Sequence, residues 1–234
     1  MAQQHEASLG IITSDQGELP NYVRGKEQGA IENPATFDFP VITEIVKETR
    51  GRRIVAGDPV LERGYVAAAR RLVQRGAVAI SSDCGFTFRY QAAVAAAVDV
   101  PVAMSSMLLL PTLIRQLPPP AKIAVLTFDS NNCGDDMLQL GDPTERSRVV
   151  IGGIEGTKFW HDSFEYPAPP TDVAAIEADV AACIIRLRAV HPEIAAILFE
   201  CAAFPVVAPA IRRLTNLPVY DITNLCRMMV ASIL

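Results

Sequence analysis

Basic residues are sparse and scattered in this sequence: 21 Lys and Arg are outnumbered by 26 Asp and Glu, for a net charge of −5. A surface for nucleic acid or anionic lipid needs clustered Lys and Arg, and no such run exists. No apolar run reaches the ~18 uninterrupted residues of a membrane span, and the opening MAQQHEASLG lacks the charged and apolar regions of a secretory signal. The expectation is a cytoplasmic protein without nucleic-acid or membrane partners. Cysteine is limited to five residues, Cys84, Cys133, Cys183, Cys201 and Cys226, with no CxxC pair and no metal-like spacing to the three histidines. Free thiols rather than a disulfide framework, and no metal site, follow from that pattern. Neither GxGxxG nor GxxxxGK[ST] occurs, so nucleotide binding is not indicated.

What is present is a globular composition, 50% hydrophobic and 20% charged over 234 residues. That length serves one large domain or two of roughly 100 residues each. An internal repeat favours two. Residues 77–86 read AVAISSDCGF and residues 194–203 read IAAILFECAA: an apolar strand, an acidic residue, a cysteine, then small or apolar residues opening a helix. Cys84 stands 17 residues before Pro101 and Cys201 stands 17 before Pro218, and each proline starts another short strand. A first half over 1–117 carries Cys84, and a second over 118–221 carries Cys201. The last helix, 222–234, is expected to pack back on the first half.

In chain order, Leu9 to Thr13 reads as a strand followed by a polar loop from Gln16 to Pro40, long enough to be functional. Phe39 to Thr49 is expected as a helix, Arg53 to Ala56 as a strand and Pro59 to Arg75 as a helix. Strand Ala77–Ser82, helix Phe86–Val98, strand Val102–Met104 and helix Met107–Leu117 complete the first half. Pro118-Pro119-Pro120 is the expected hinge. Strands at Ile123–Thr127 and Arg148–Ile151, a helix capped by Thr171 and running to Val190, strand Ile194–Phe199, helix Pro205–Leu214 and strand Pro218–Asp221 make the second half. Alternating strands and helices imply parallel sheets covered on both faces, an α/β fold.

Ligands of such sheets bind beyond the carboxyl ends of the strands. Cys84 and Cys201 each end a strand and open a helix, where free N–H groups and the macrodipole favour thiolate. Strand alternation is expected to turn Asp83 and Glu200 away from the thiols. With the halves facing across a cleft, one thiolate removes a proton from a carbon acid and the opposite thiol returns one, which requires no cofactor. Ser14 and Asp15 after the first strand, Ser82 before Cys84, and Thr127 at its strand end are candidates to line the cleft. Hydroxyls at such places bind carboxylates or cap helices, and both roles stay open. Cys183 and Cys226 read as core thiols, whereas Cys133 sits in a loop within reach of the cleft. His5 belongs to the tail, His191 to the far end of the sheet, and His161 to a structural segment. Arg52 and Arg53, entering a strand, are expected far from the site.

Through residues 33–41 (NPATFDFPV), 82–86 (SDCGF), 100–106 (VPVAMSS) and 199–201 (FEC) with Pro205, the chain resembles the aspartate/glutamate racemase superfamily, which works without pyridoxal phosphate. That superfamily includes aspartate, glutamate and hydantoin racemases, maleate isomerase and arylmalonate decarboxylase. The resemblance implies two flavodoxin-like halves related by pseudo-twofold symmetry, with the site between them and Cys84 and Cys201 exchanging an α-proton. Many relatives carry Thr or Asn beside each cysteine to hold a substrate carboxylate. Here Gly85 and Phe86 follow Cys84, and Ala202 and Ala203 follow Cys201, so a less polar substrate, or one held by backbone N–H groups, is expected. The leading reading is a cofactor-free racemase or epimerase of a small carboxylate. An isomerase or decarboxylase using one cysteine, and a non-catalytic carboxylate sensor, remain alternatives, and a homo-oligomer is compatible with all three.

Overall fold

The computed structural model describes residues 7–233. His5 and the tail before residue 7, and the final Leu234, lie outside the described residues.

The first half runs β1 (Ser8–Ser14), β2 (Val41–Val46), α1 (Gly51–Val55), α2 (Glu62–Gln74), β3 (Ala77–Ser82), α3 (Gln91–Ala95), β4 (Val102–Ala103) and α4 (Leu110–Gln116). The second runs β5 (Lys122–Thr127), α5 (Asp135–Leu138), α6 (Pro143–Arg146), β6 (Val149–Gly153), α7 (Lys158–Asp162), α8 (Val173–Val190), β7 (Ile194–Phe199), α9 (Ala208–Thr215), β8 (Val219–Tyr220) and α10 (Ile222–Ala231). Each half holds a four-stranded parallel sheet, ordered β2-β1-β3-β4 and β6-β5-β7-β8. The correspondence extends to an irregularity: the β1–β3 register shifts between Ser8 and Leu9, and the β5–β7 register shifts between Lys122 and Ile123, the same place in each sheet.

Strand alternation decides which helix covers which face. In the first sheet, Ile12 and Ile80 join the core under α2, whose Tyr65, Ala68, Ala69 and Leu72 are buried at helical spacing. Leu9, Ile11 and Ala79 face the other way, onto Ile222, Leu225, Cys226 and Val230 of α10. The C-terminal helix thus lies against β3 of the first half, closing a face that its own half leaves open. α8 covers β5 and β6. One apolar cluster runs through both halves, from Ile12 and Tyr65 to Ile197 and Ile211. No helix among the described residues is long and apolar enough to cross a membrane.

Three sequence expectations need correction. Residues 41–46, expected as helix, form edge strand β2. Val41, Ile42, Thr43, Ile45 and Val46 are all β-branched, which suits a pleated surface, and exposure of Thr43 and Ile45 at the edge removes the alternation that marks a half-buried strand. Arg53 to Ala56, expected as strand, lies mostly in helix α1, where Ile54 N donates to Arg50 O; five residues are too few to show a period. The cap of α8 is Asp172, which accepts from Ala175 N at 3.0 Å, rather than Thr171. At the prolines, Arg148 donates to Leu117 O and Ala121 O at 2.6 and 2.9 Å, pinning both ends of the connection between halves.

Candidate active site

In both sheets the first strand lies between the second and third, so strand order reverses between β1 and β3 and between β5 and β7. The crevices of open parallel sheets lie at such points. The chain leaves β3 and β7 in the same way. Asp83 N donates to Ile12 O at 3.1 Å and Glu200 N to Leu126 O at 2.8 Å, so each acidic residue is still tied to the neighbouring strand. The cysteine then breaks the pairing. Cys84 is extended and precedes a 3₁₀ turn over Gly85–Tyr90, held by Thr87 Oγ1 donating to Cys84 O. In the second copy, Phe204 N donates to Cys201 O at 3.1 Å ahead of a turn over Phe204–Val207.

The two turns meet. A methyl group added at Gly85 would overlap the carbonyl oxygen and Oε1 of Glu200, so glycine is what permits the close approach. Ser106 of the first half adds a bond across the seam, its Oγ donating to Phe199 O at 2.5 Å. Between the turns is a cavity of about 230 Å³ onto which both Cys84 and Cys201 open. Ser14, Asp15, Gly85, Phe86, Ala202 and Ala203 line it too. Ser82 and Thr127 do not. Ser82 is fully buried behind the wall, and Thr127 spends its hydroxyl on Glu200.

Sequence reasoning missed much of the lining. Gln16, Arg24, Ala30 and Glu32 enter from the long loop before β2, and Phe128, Phe164 and Tyr166 enter from the second half. Arg24 fastens the loop to the opposite half, donating to Gln16 O at 3.1 Å and Ala168 O at 2.5 Å. The loop's proline and glycine content marked it as irregular, but nothing in it marked which side chains turn inward. Arg52 and Arg53 are not remote, since α1 borders the cavity through Gly51, Ile54 and Val55. Arg52 stacks on Phe164 across the seam, 4.2 Å from the ring centre. Cys133, Cys183 and Cys226 are buried away from the cavity. His161 packs edge-on against Trp160, and His191 lies beside Lys122 at the start of β5.

The carboxylates overturn the expected thiol chemistry. Asp83 and Glu200 line the cavity beside the thiols instead of turning away. Asp83 Oδ2 accepts from Ser14 N and Ser14 Oγ, both at 2.8 Å, and Glu200 Oε2 accepts from Thr127 Oγ1 at 2.8 Å. Burial raises Asp83 to about 6 and Glu200 to about 7, against those hydrogen bonds. Glu32 also rises to about 7, through burial and then the neighbouring Asp83. Burial lifts both thiols well above the ordinary range, and Glu200 and Asp83 add to it. Backbone N–H groups do reach the sulfurs, from Phe86 to Cys84 and from Ala203 and Phe204 to Cys201. They are outweighed, because a short turn offers one or two donors while desolvation acts on the whole charge. Among the described residues there is no group of three or more His, Cys, Asp or Glu arranged to hold a metal ion.

Two matched α/β halves meeting at paired strand ends are a fold shared with solved structures of racemases and of a decarboxylase. Allantoin racemase from Klebsiella pneumoniae aligns with a TM-score of 0.64 at 12% identity, over 97% of this chain and 87% of its own. A sulfate-associated form of arylmalonate decarboxylase aligns at 0.55 and 18% identity, over 91% and 87%. In sequence, the chain is 29% identical to a dimethylsulfoniopropionate lyase of Durusdinium sp. clade D, over 92% of this chain and 71% of that protein. It is 27% identical to dimethylsulfoniopropionate lyase 7 of Emiliania huxleyi, over 97% and 67%. No family model matches the chain. These relatives and structural neighbours are enzymes, and the sequence relatives are lyases by name, where sequence alone favoured a racemase.

Proposed function

We propose that this protein is a cofactor-independent lyase that removes the α-proton of a small carboxylate bearing a dimethylsulfonio or comparable leaving group on the adjacent carbon, with Cys84 and Cys201 handling the proton. The observation that carries this reading is the opening of both thiol turns onto one cavity whose other polar walls are largely carboxylate. The names of the sequence relatives supply the leaving group. A thiolate takes the α-hydrogen, the C–H electron pair becomes the carbon–carbon double bond, and the carbon–sulfur bond breaks with its pair retained by sulfur. From 3-(dimethylsulfonio)propionate the products are acrylate and neutral dimethyl sulfide, and the proton passes from the thiol to water.

Cys201 is the base in this reading. Two backbone N–H groups aim at its sulfur and one at Cys84, while Glu200 and Asp83 weigh on both thiols. Arg50, exposed at the rim, is the cation available for the substrate carboxylate, since Arg24 is occupied by loop carbonyls. Dimethyl sulfide released from 3-(dimethylsulfonio)propionate, measured by gas chromatography, is expected of the wild type and should fall by about a hundredfold or more in Cys201→Ala. Absence of release by the wild type at neutral and alkaline pH would overturn the reading.

Racemisation is the second reading, favoured by the matched placement of the two thiols at the ends of β3 and β7. It requires solvent deuterium to enter the α-position of a chiral carboxylate without loss of any group, and comparable losses in Cys84→Ala and Cys201→Ala.

A further inference from the structure

The mechanism above leaves two buried oxygens without a task. Glu200 is 1% exposed, and its Oε1 has no hydrogen-bond partner among the described residues. Asp83 Oδ1, at the matched place in the other half, is likewise inaccessible and unpartnered. Glu200 is held through Oε2 by Thr127 Oγ1 and Phe128 N, and Asp83 is held by Ser14 and by the Gln16 side chain. Buried carboxylate oxygens are normally paired, because an unpaired one forfeits its hydration with no return. Two under-compensated carboxylates at symmetric places on the wall of one cavity point to positive charge that arrives with the ligand.

The chemistry of that partner follows from the walls. A neutral donor would serve one carboxylate, whereas a cation between them compensates the charge of both at once. Neither cavity arginine is available for this role: Arg24 donates to Gly17 O, Gln16 O and Ala168 O, and Arg50 is exposed at the rim and stacked 4.4 Å over Tyr166. Phe86 and Phe128 supply ring surface on the same cavity, the environment that favours an onium group over a hydrated metal ion.

We propose that Asp83 and Glu200 together form the seat for the cationic end of a zwitterionic carboxylate, so that the substrate class is an onium-bearing carboxylic acid rather than a simple monoacid or diacid. This deepens the lyase reading and rests on it for the orientation of the substrate: the α-carbon lies between the thiols and the onium group one carbon further, beside the acidic residues that precede each cysteine.

The test is a binding measurement that needs no turnover. 3-(Trimethylammonio)propionate and its uncharged isostere, 4,4-dimethylpentanoate, are titrated by calorimetry against the whole protein. The wild type is expected to bind the ammonio acid about tenfold tighter or more, a difference of about 1.4 kcal/mol. Glu200→Gln and Asp83→Asn should each bring the ratio towards one while leaving affinity for the isostere in place. Equal binding of the two acids by the wild type, or a ratio unchanged in both variants, overturns the seat. Should one variant fold poorly, the ratio in the other decides. A preserved ratio without dimethyl sulfide release would reject the lyase and leave the seat standing.

Discussion

Glu200 is an ionisable group placed where it costs stability. Its carboxyl titrates near 4.5 when free and at about 7 in the folded protein, because burial disfavours the charged form. The folded state therefore binds this proton more tightly than the unfolded chain. Its stabilising effect is fully present below pH 4.5 and is lost as pH rises through about 7, a loss of about 3 kcal/mol at ~1.4 kcal/mol per pH unit. Glu200→Gln should raise the melting temperature at pH 8 and leave it almost unchanged at pH 4. Equal effects at both pH values in thermal denaturation would contradict the assigned direction. The thiols obey the opposite charge logic, since alkylation needs the thiolate. With Cys84 and Cys201 held well above their ordinary range by burial, their reaction with iodoacetamide, followed by peptide mass spectrometry, should accelerate about tenfold per unit from pH 7 to 9. A plateau below pH 8 would show an activated thiolate in the free protein.

Among the elements, the turn after β3 is the least tolerant of change. Gly85→Ala drives a methyl group into the backbone of Glu200, a neighbour that cannot swing aside. The variant should lose about 1–3 kcal/mol in urea denaturation, with a larger proportional loss of turnover, because the two thiol turns are forced apart. Stability equal to wild type would show that the turns are not in firm contact. The long loop acts through Arg24. Arg24→Ala removes the bonds to Ala168 O and Gln16 O that fasten the loop over the cavity, and it should raise KM more than it lowers kcat. Strand β2 and helix α1 carry a separate lesson. An exposed edge strand shows no alternation and a five-residue helix shows no period, so neither is legible in sequence, whereas the buried strands β3 and β7 are.

For the molecule as a whole, one apolar cluster runs through both halves, and the C-terminal helix of one closes a sheet face of the other. Unfolding should therefore be a single transition. The only tryptophan, Trp160, reports on the second half, and far-ultraviolet circular dichroism reports on both. The two denaturation curves should coincide, and separated midpoints would show halves that unfold independently.

The sequence by itself determined the two sheets, the duplication, and the placing of Cys84 and Cys201 at equivalent strand ends, because buried strands and their terminating residues are written in short contiguous patterns. Only the tertiary structure decided that Asp83 and Glu200 share the cavity with those thiols, that burial pushes the thiols up, and that Arg24, Glu32 and Phe128 complete the walls. Those outcomes depend on burial and on contacts between segments far apart in the chain, and no local pattern of residues records how much water a folded crevice excludes.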